Sequence, residues 1–268
     1  MTGFGASNGS LPPAYSVPYG SPGGELGTSL STQPEDLMGA TATNVSSEAI
    51  ESLLGIGNDD GLYLVSVPSG SYAANVGLQS SDDIMAINGN QVTDNRNTFW
   101  IPYNSLAAGA PITLTVRRQQ TNVTLTFDKT TAPEELNDTS GIVYNSTGNG
   151  PAGTGWIWRN SSTGGASSSL NDIWATQNIG DSWSLTFNGT GITIISETAP
   201  NEGNVDLTID GQPYSGNPVS FETPTVSYQS NVISITGLAP GVHTITGTMM
   251  SGSYMIVDAF ETHPSASS

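Results

Sequence analysis

Alternation of apolar and polar residues is the clearest signal in the first half of the chain. Residues 46–54 predict one short helix with a serine N-cap, and residues 119–122 predict a hairpin turn between the last two of four strands. These strands are runs rich in β-branched residues: GLYLVSV (61–67), DIMAING (83–89), ITLTVRR (112–118) and VTLTFD (123–128). Residues 46–130 are therefore predicted to form one domain.

The second half also has alternating runs. Turn residues separate these runs at intervals that are typical of a β-sandwich. Trp183, Leu185 and Phe187 fall on one face of a strand, and Asp210-Gly211 marks a hairpin. The runs are SWSLTF (182–187), GITIIS (191–196), VDLTID (205–210), VISITGL (232–238), VHTITGTM (242–249) and YMIVDAFE (254–261). A sandwich over residues 141–263 follows, with a linker at 131–140 and a short C-terminal tail at 264–268.

The first 45 residues lack such a pattern. They are rich in Gly, Ser, Pro and Thr and hold few large apolar residues. A segment of this composition cannot bury enough surface to fold alone. We therefore expect an extended N-terminal tail that is held by its own domains or by a neighbouring copy.

Charge excludes several classes of partner. Five basic residues stand against 23 acidic residues, which gives a net charge of −18. No basic patch can then neutralise nucleic-acid phosphates or an anionic membrane surface. The chain has no cysteine, so disulfides and thiolate metal sites are excluded, and no apolar run is long enough for membrane insertion.

A block in the first domain resembles the PDZ domain of the bacterial, secreted-protease type. The family pattern, a strand followed by GSPA, AGL, GDxI, NG and V, is met in order by Gly70-Ser71-Tyr72-Ala73, Asn75-Val76-Gly77-Leu78, Ser81-Asp82-Asp83-Ile84, Ile87-Asn88-Gly89 and Val92. The resemblance covers about 85 residues and implies a partly open, PDZ-like barrel.

The resemblance also implies a peptide site, because PDZ domains bind a peptide as an added strand at a sheet edge. A loop of the type apolar-apolar-Gly-apolar offers N–H groups to the terminal carboxylate, and Leu53-Leu54-Gly55-Ile56 fits that type. Two features favour a purely structural module instead. The strand before Gly61 is short or absent, and Pro102 lies where the groove helix would run.

The second domain resembles a jelly-roll of the galactose-binding or carbohydrate-binding-module type. The matching positions are Tyr144 and Trp156, Gly180 to Gly191, Asp210-Gly211, Gly237 to His243, and Asp258-Ala259-Phe260. The resemblance implies sugar binding, for which Trp156, Trp158 and Trp174 are the best candidates. The alternative is that Trp156 and Trp158, two residues apart, share one face and pack in the core.

Catalytic chemistry has little support. His243 and His263 are the two histidines, and the GASNG segment at residues 5–9 matches G-x-S-x-G only in a low-complexity tail. Glu197 and Glu202 flank a loop and are the least implausible carboxylate pair for glycoside hydrolysis. Asp172, Asp181 and Asp206 could contribute to a calcium site, but no loop shows the required ligand spacing. We expect no enzyme, no metal and no cofactor.

These observations predict a mainly β protein: a PDZ-like partly open barrel plus a jelly-roll β-sandwich, with an extended N-terminal tail. The leading hypothesis is a non-catalytic extracellular or cell-surface protein that binds copies of itself through the tail, as a subunit of a filament, coat or virion. The alternatives are a glycan-binding accessory module and a peptide-binding adaptor.

Overall fold

The computed structural model of the chain describes residues 35–45, 48–57, 60–137, 141–147, 155–160 and 172–265. Residues 1–34 of the predicted tail and the last three residues lie outside the described residues. The predicted fold class is confirmed: the described chain is mainly β, with one curved half-barrel sheet and two sheets that form a sandwich.

The first domain is a curved sheet with short helices. Its strand order is β1-β2-β3-β4-β6-β7, with β5 paired to β4. The strands are β1 (Glu35–Leu37), β2 (Ala40–Asn44), β3 (Leu62–Ser66), β4 (Asp82–Ile87), β5 (Asn90–Gln91), β6 (Pro111–Arg118) and β7 (Thr121–Asp128). The helices are α1 (Glu48–Leu54), α2 (Tyr72–Asn75), a π-helical segment (Asn95–Trp100) and α3 (Ile101–Asn104).

An aromatic cluster closes the core of this domain. Phe99 stacks on Tyr103 at 5.7 Å, and Trp100 meets both rings edge-on. All three side chains are buried against the alternating apolar residues of the sheet. The helix begins at Asn95, capped by Asp94, and its hydrogen-bonding pattern changes at Ile101, next to a proline that cannot donate a backbone bond.

Strands β1 and β2 lie inside the predicted tail, so the sheet begins earlier than residue 46. Met38 and Gly39 have φ values of +55° and +81°, the signature of a tight two-residue hairpin turn. Ala40 and Ala42 are fully buried although their side chains are small. This strand carries too little hydrophobicity to stand out in a Gly/Ser/Thr-rich sequence.

The second domain is a two-sheet sandwich. One sheet has the order β14-β13-β16-β12-β18-β8, with β15 on β13 and β9 on β12, and the other has the order β10-β11-β17. The strands are β8 (Glu134–Asn137), β9 (Val143–Asn145), β10 (Ile157–Asn160), β11 (Asp172–Thr176), β12 (Ser182–Thr198), β13 (Asn204–Ile209), β14 (Gln212–Pro213), β15 (Val219–Ser220), β16 (Ser227–Met249), β17 (Met255–Val257) and β18 (Ala259–His263).

Two pairs of predicted strands are continuous in the structure. Residues 182–198 form the single strand β12, and residues 227–249 form the single strand β16. The glycines between the predicted strands lie at an irregularity of the ladder, where the register shifts between Gly189 and Gly191. A side chain at Gly189 would collide with the carbonyl of His263, so this glycine permits close packing of β18.

The two domains meet at a polar junction. The Tyr103 hydroxyl donates to Glu134 at 2.6 Å, and the Lys129 ammonium donates to the Tyr103 carbonyl at 3.0 Å. Asn188 on β12 donates to the carbonyl of Ser105 at 2.9 Å. Because Glu134 begins β8, which pairs with β18, part of the predicted linker belongs to the sheet of the second domain.

Asp83 gives a test of the first domain. Its carboxylate is fully buried against Gly61, and neither oxygen has a hydrogen-bond partner within the described part of the chain. Burial first, and then Asp60 and Asp82, raise the pKa of Asp83 from 3.8 to about 7. The folded state therefore favours the protonated acid, and stability is lost as the pH rises from about 4 to about 7.

We predict that the free energy of unfolding of the natural chain is lower at pH 8 than at pH 5. The raised pKa of Asp83 alone corresponds to a loss of roughly 2.6 kcal/mol between these two pH values, because the unfolded acid is already mostly ionised at pH 5. Asp83→Asn removes this part of the pH dependence, which urea denaturation at the two pH values measures. An unchanged difference between pH 5 and pH 8 in the variant would contradict the assignment.

Candidate functional site

A cleft lies on the outer face of the three-stranded sheet in the second domain. Alternation along β11 and β17 directs Trp174 and Val257 into the sandwich core. Ile173, Ala175 and Ile256 point the other way and form a separate small apolar cluster. These three side chains make the floor of the cleft.

Polar side chains make the walls of this cleft. Glu197, Asn201 and Glu202 come from the end of β12 and the loop after it. Arg159 comes from β10, and Tyr254 comes from the residue before β17. The cleft that they line is small, with a cavity volume of about 40 Å³, and it opens to solvent.

Two glycines hold the wall loops together. A side chain at Gly203 would collide with the backbone of Ser251 and Gly252. Gly252 has a φ of +89° and packs against Gly203 in return. The contact sets Glu202 beside Tyr254, with which it forms a parallel bridge. The backbone of these two loops therefore fixes two of the wall side chains.

Glu202 is the most perturbed group in the cleft. It is 2% exposed, and its Oε2 atom has no hydrogen-bond partner among the residues that the structure describes. Burial, and then the charge of Glu197, raise the pKa of Glu202 to about 8. At neutral pH the buried carboxyl therefore carries a proton and can both donate and accept a hydrogen bond.

The other ionisable side chains in the walls of the cleft are also shielded from water. Burial raises the pKa of Glu197. Burial lowers the pKa of Arg159, an effect that the nearby Tyr254 opposes. The sequence singles out Glu197 and Glu202 as a pair, and the structure brings both into one cleft. The sequence carries no signal for Arg159 or Tyr254, because strands distant along the chain bring these residues together.

The tryptophan prediction does not hold for two of its three residues. Trp156 is 2% exposed and Trp174 is fully buried, so neither ring offers a face to a sugar. Both pack on Tyr144, at centroid distances of 4.7 and 5.1 Å. Trp158 is partly buried and packs against the same core, and a role for it in sugar binding stays a prediction.

Asp181 is a structural acid. Its buried carboxylate accepts hydrogen bonds from neutral donors on Ser146, Thr147, Thr176 and Asn178. These donors join the end of β9 to the turn between β11 and β12. Within the described ranges no group of three metal-ligating side chains is found.

The predicted carboxylate loop, Leu53-Leu54-Gly55-Ile56, lies at the C-terminal end of α1. Gly55 has a φ of +66°, and the Ile56 N–H donates to the Glu51 carbonyl at 3.0 Å. These features are those of a Schellman cap, in which an apolar-apolar-Gly-apolar pattern ends a helix. Leu53 is exposed, whereas Leu54 is fully buried.

The same pattern recurs at Leu37-Met38-Gly39-Ala40, directly before β2. Here it forms the tight turn between β1 and β2. Among the described residues between α1 and β3 no strand is found, and the strand that pairs with β3 on its outer side is β2, which precedes α1. Its outer edge is paired with β1.

Comparison with known families identifies one domain. Residues 29–128 match the family model of the PDZ domain. This match includes β1 and β2 and ends with β7. No curated protein matches the chain. No helix in the described part is long and apolar enough to cross a membrane.

The chain has weak structural similarity to several solved structures. The catalytic domain of Agl-KA matches at 14% identity and a TM-score of 0.35, over 49% of this chain and 27% of that one. The CBM36-1 domain of a multidomain xylanase from the hindgut metagenome of Trinervitermes trinervoides matches at 18% and 0.31, over 48% and 95%.

A family 35 carbohydrate-binding module from Clostridium thermocellum matches at 12% identity and a TM-score of 0.29, over 48% of this chain and 96% of that one. All three TM-scores lie below 0.5. The function of the cleft therefore rests on its own residues.

The glycine contact behind the cleft can be tested directly. We predict that Gly203→Ala lowers the melting temperature, because the added methyl group collides with rigid backbone rather than with a flexible side chain. Gly57→Ala is the control for the loss of a glycine, since nothing lies within 4 Å of the added carbon there and its φ is not in the left-handed region. Differential scanning calorimetry of both variants measures the effect. An equal loss in both would show that the close approach at Gly203 is unimportant.

Proposed function

We propose that this chain is a non-catalytic recognition protein whose second domain binds a neutral carbohydrate in the cleft. The observation that carries the proposal is the buried Glu202 carboxyl: the residue lines the cleft, and its Oε2 atom has no partner within the described residues. A buried polar atom of this kind is costly unless a ligand or water satisfies it. A sugar hydroxyl can do so, because it both donates and accepts.

The other walls fit the same ligand class. Asn201, Tyr254 and Arg159 offer amide, phenol and guanidinium groups, the set of donors and acceptors that hydroxyl groups require. The apolar floor suits the C–H face of a sugar ring. An anionic ligand is disfavoured because Glu197 and Glu202 line the same small space in a chain of net charge −18.

Binding and hydrolysis make opposite predictions for Glu202. Hydrolysis requires two carboxyl groups that flank the scissile bond and exchange protons with it. One oxygen of Glu202 is fully enclosed by the protein, and the glycine contact holds the loop that carries this residue. A binding role also predicts that an uncharged isostere of Glu202 keeps its function, whereas a catalytic role predicts the opposite.

The experiment uses a glycan array of neutral oligosaccharides, followed by calorimetric titration with the best ligand. Glu202→Gln is expected to bind within about threefold of the natural chain at pH 7, because the amide also donates and accepts. Glu202→Leu is expected to lose about tenfold or more, in line with one lost buried hydrogen bond. An array without hits, or equal binding by the leucine variant, would overturn the proposal.

The pH dependence gives a second readout. As the pH rises through about 8, the Glu202 carboxyl, whose pKa is raised to that value, loses its proton and with it the ability to donate. Affinity of the natural chain should therefore fall between pH 7 and pH 9. Glu202→Gln should show no such fall in the same titration.

Self-assembly through the N-terminal tail, as a filament, coat or virion subunit outside the cell, remains a second proposal. One observation favours it: β1 lies within the predicted tail and pairs at a sheet edge, where strands are readily exchanged between copies. Sedimentation of the full chain beside a chain that lacks residues 1–34 tests it. Monomers in both samples would remove this proposal.

A further inference from the structure

We propose that the free edge of strand β16 pairs with the same edge of a second copy of this chain, so that two copies form a symmetric dimer through one continuous β-sheet. The proposal does not depend on carbohydrate binding or on the N-terminal tail. It rests on the sheet topology, on the burial of side chains along β16 and on the distribution of charge in the chain.

The first part of β16 has a neighbouring strand on one side only. Residues 227–236 pair with residues 191–198 of β12. On the other side, β13 pairs with residues 245–249 and then turns back at Asp210-Gly211 to pair with β14. No strand in the part of the chain that is described pairs with the outer edge of residues 227–236. An edge of this kind is a template for another strand, because its outward N–H and C=O groups have no ladder to join.

The hydrophobic core is incompletely covered along this edge. Val232, Ile233 and Leu238 pack against the core of the second domain but are only partly buried. Val226, just before β16, and Tyr228, within it, are 51% and 49% exposed. A strand that is added beside β16 removes part of this apolar surface from water, which stabilises the paired state.

The distribution of charge favours a second copy of the chain as the occupant. Residues 223–257 contain no Asp, Glu, Lys or Arg, although the chain has 23 acidic and five basic residues. Two copies that each carry a net charge of −18 repel each other where their acidic surfaces meet. The uncharged stretch lets two copies approach without this local repulsion. A basic partner, by contrast, finds no acidic side chain in this stretch to pair with.

Several other sheet edges are protected against strand pairing. Strand β8 carries Glu134 and Glu135, and β1 carries Glu35 and Asp36. Strand β14 has two residues and ends at Pro213, which has no backbone N–H to donate. Charges, prolines and short strands are common means of preventing edge pairing. Residues 227–236 of β16 contain neither a charged residue nor a proline.

The regular part of this edge is short, which suits a closed pair. The ladder between β12 and β16 shifts its register between Ile194 and Ile195, beside residues 231–233. Gly237, with a φ of +79°, ends the regular stretch on the other side. We therefore expect residues 233–236 at the centre of the contact. Antiparallel pairing of one edge with itself uses that edge in both copies, so the dimer closes and does not extend into a filament.

The test measures association of the full chain by sedimentation equilibrium. Thr236 is exposed and lies in the regular stretch, so Thr236→Glu places two like charges in the contact. The natural chain should form a dimer with a micromolar dissociation constant, because the contact is small. The variant should dimerise at least about tenfold more weakly. A monomeric natural chain, or equal dimerisation by the variant, would overturn the proposal.

Thr124→Glu is the matched control, because Thr124 is an exposed threonine on β7, the edge strand of the other large sheet. The two variants have the same net charge, and Thr124→Glu should dimerise as the natural chain does. An equal loss in both would mean that added charge alone prevents association, which would overturn the proposal. Association through the N-terminal tail alone predicts no loss in either variant and would overturn it too.

Salt dependence is a separate readout of the charge argument. Sodium chloride screens the repulsion between two acidic copies, so the dimer of the natural chain should become tighter as the salt concentration rises. A contact made by ion pairs predicts a weaker dimer under the same conditions. That result would overturn the proposal.

A spin-label measurement decides the matter if Thr236→Glu does not fold. The chain has no cysteine, so Ser234→Cys and Thr124→Cys each provide one labelling site. With a rise of about 3.4 Å per residue, pairing centred on residues 233–236 brings the labels at position 234 within about 25 Å. Double electron–electron resonance should detect this distance for Ser234→Cys but not for Thr124→Cys. Its absence at position 234, or the same distance in the control, would overturn the proposal.

Discussion

The structure depends on how its buried acids are stabilised, because the chain has only five cationic side chains for 23 acidic ones. Two of these cations, Arg118 and Lys129, join separate parts of the fold through ion pairs and hydrogen bonds. Arg118 pairs with Asp82 at 2.7 Å and also donates to the Gly77 carbonyl. Lys129 lies over the Tyr103 ring and contacts Glu134 at the domain junction. Carboxylates that are buried elsewhere must find neutral donors or remain unsatisfied, at a cost that raises their pKa values.

Some buried acids have neutral donors and others have no partner, and this difference distinguishes structural acids from candidate functional ones. Asp181 is surrounded by hydroxyl and amide donors, and it joins loops of the second domain. Asp83 lacks partners within the described residues and makes the first domain sensitive to pH. Asp36 and Glu202 are also desolvated: Asp36 accepts a hydrogen bond from Gly39 at the turn before β2, and Glu202 lines the cleft. A perturbed acid in a concave site is the functional candidate.

Sequence reasoning succeeded where a local pattern determines one structure. The strands of the PDZ-like block and the buried alternation of Trp183, Leu185 and Phe187 are of this kind. It failed where one pattern fits two structures. An apolar-apolar-Gly-apolar run ends a helix at Leu53 to Ile56 and makes a hairpin turn at Leu37 to Ala40. Only the tertiary fold distinguishes these two structures. A period of two shows that tryptophans share a face, but whether that face is the core depends on the packing of the second sheet.

The domain junction joins the two sheets through β8. Strand β8 contacts β1 on one side and pairs with β18 on the other, so it belongs to the sandwich and also lies beside the first domain. Its Glu134 accepts a hydrogen bond from Tyr103 and contacts Lys129, and Leu37 of β1 lies in the same buried core as Tyr103. The core of the first domain therefore supports the contact that holds the two domains together, and a change in β1 acts on both.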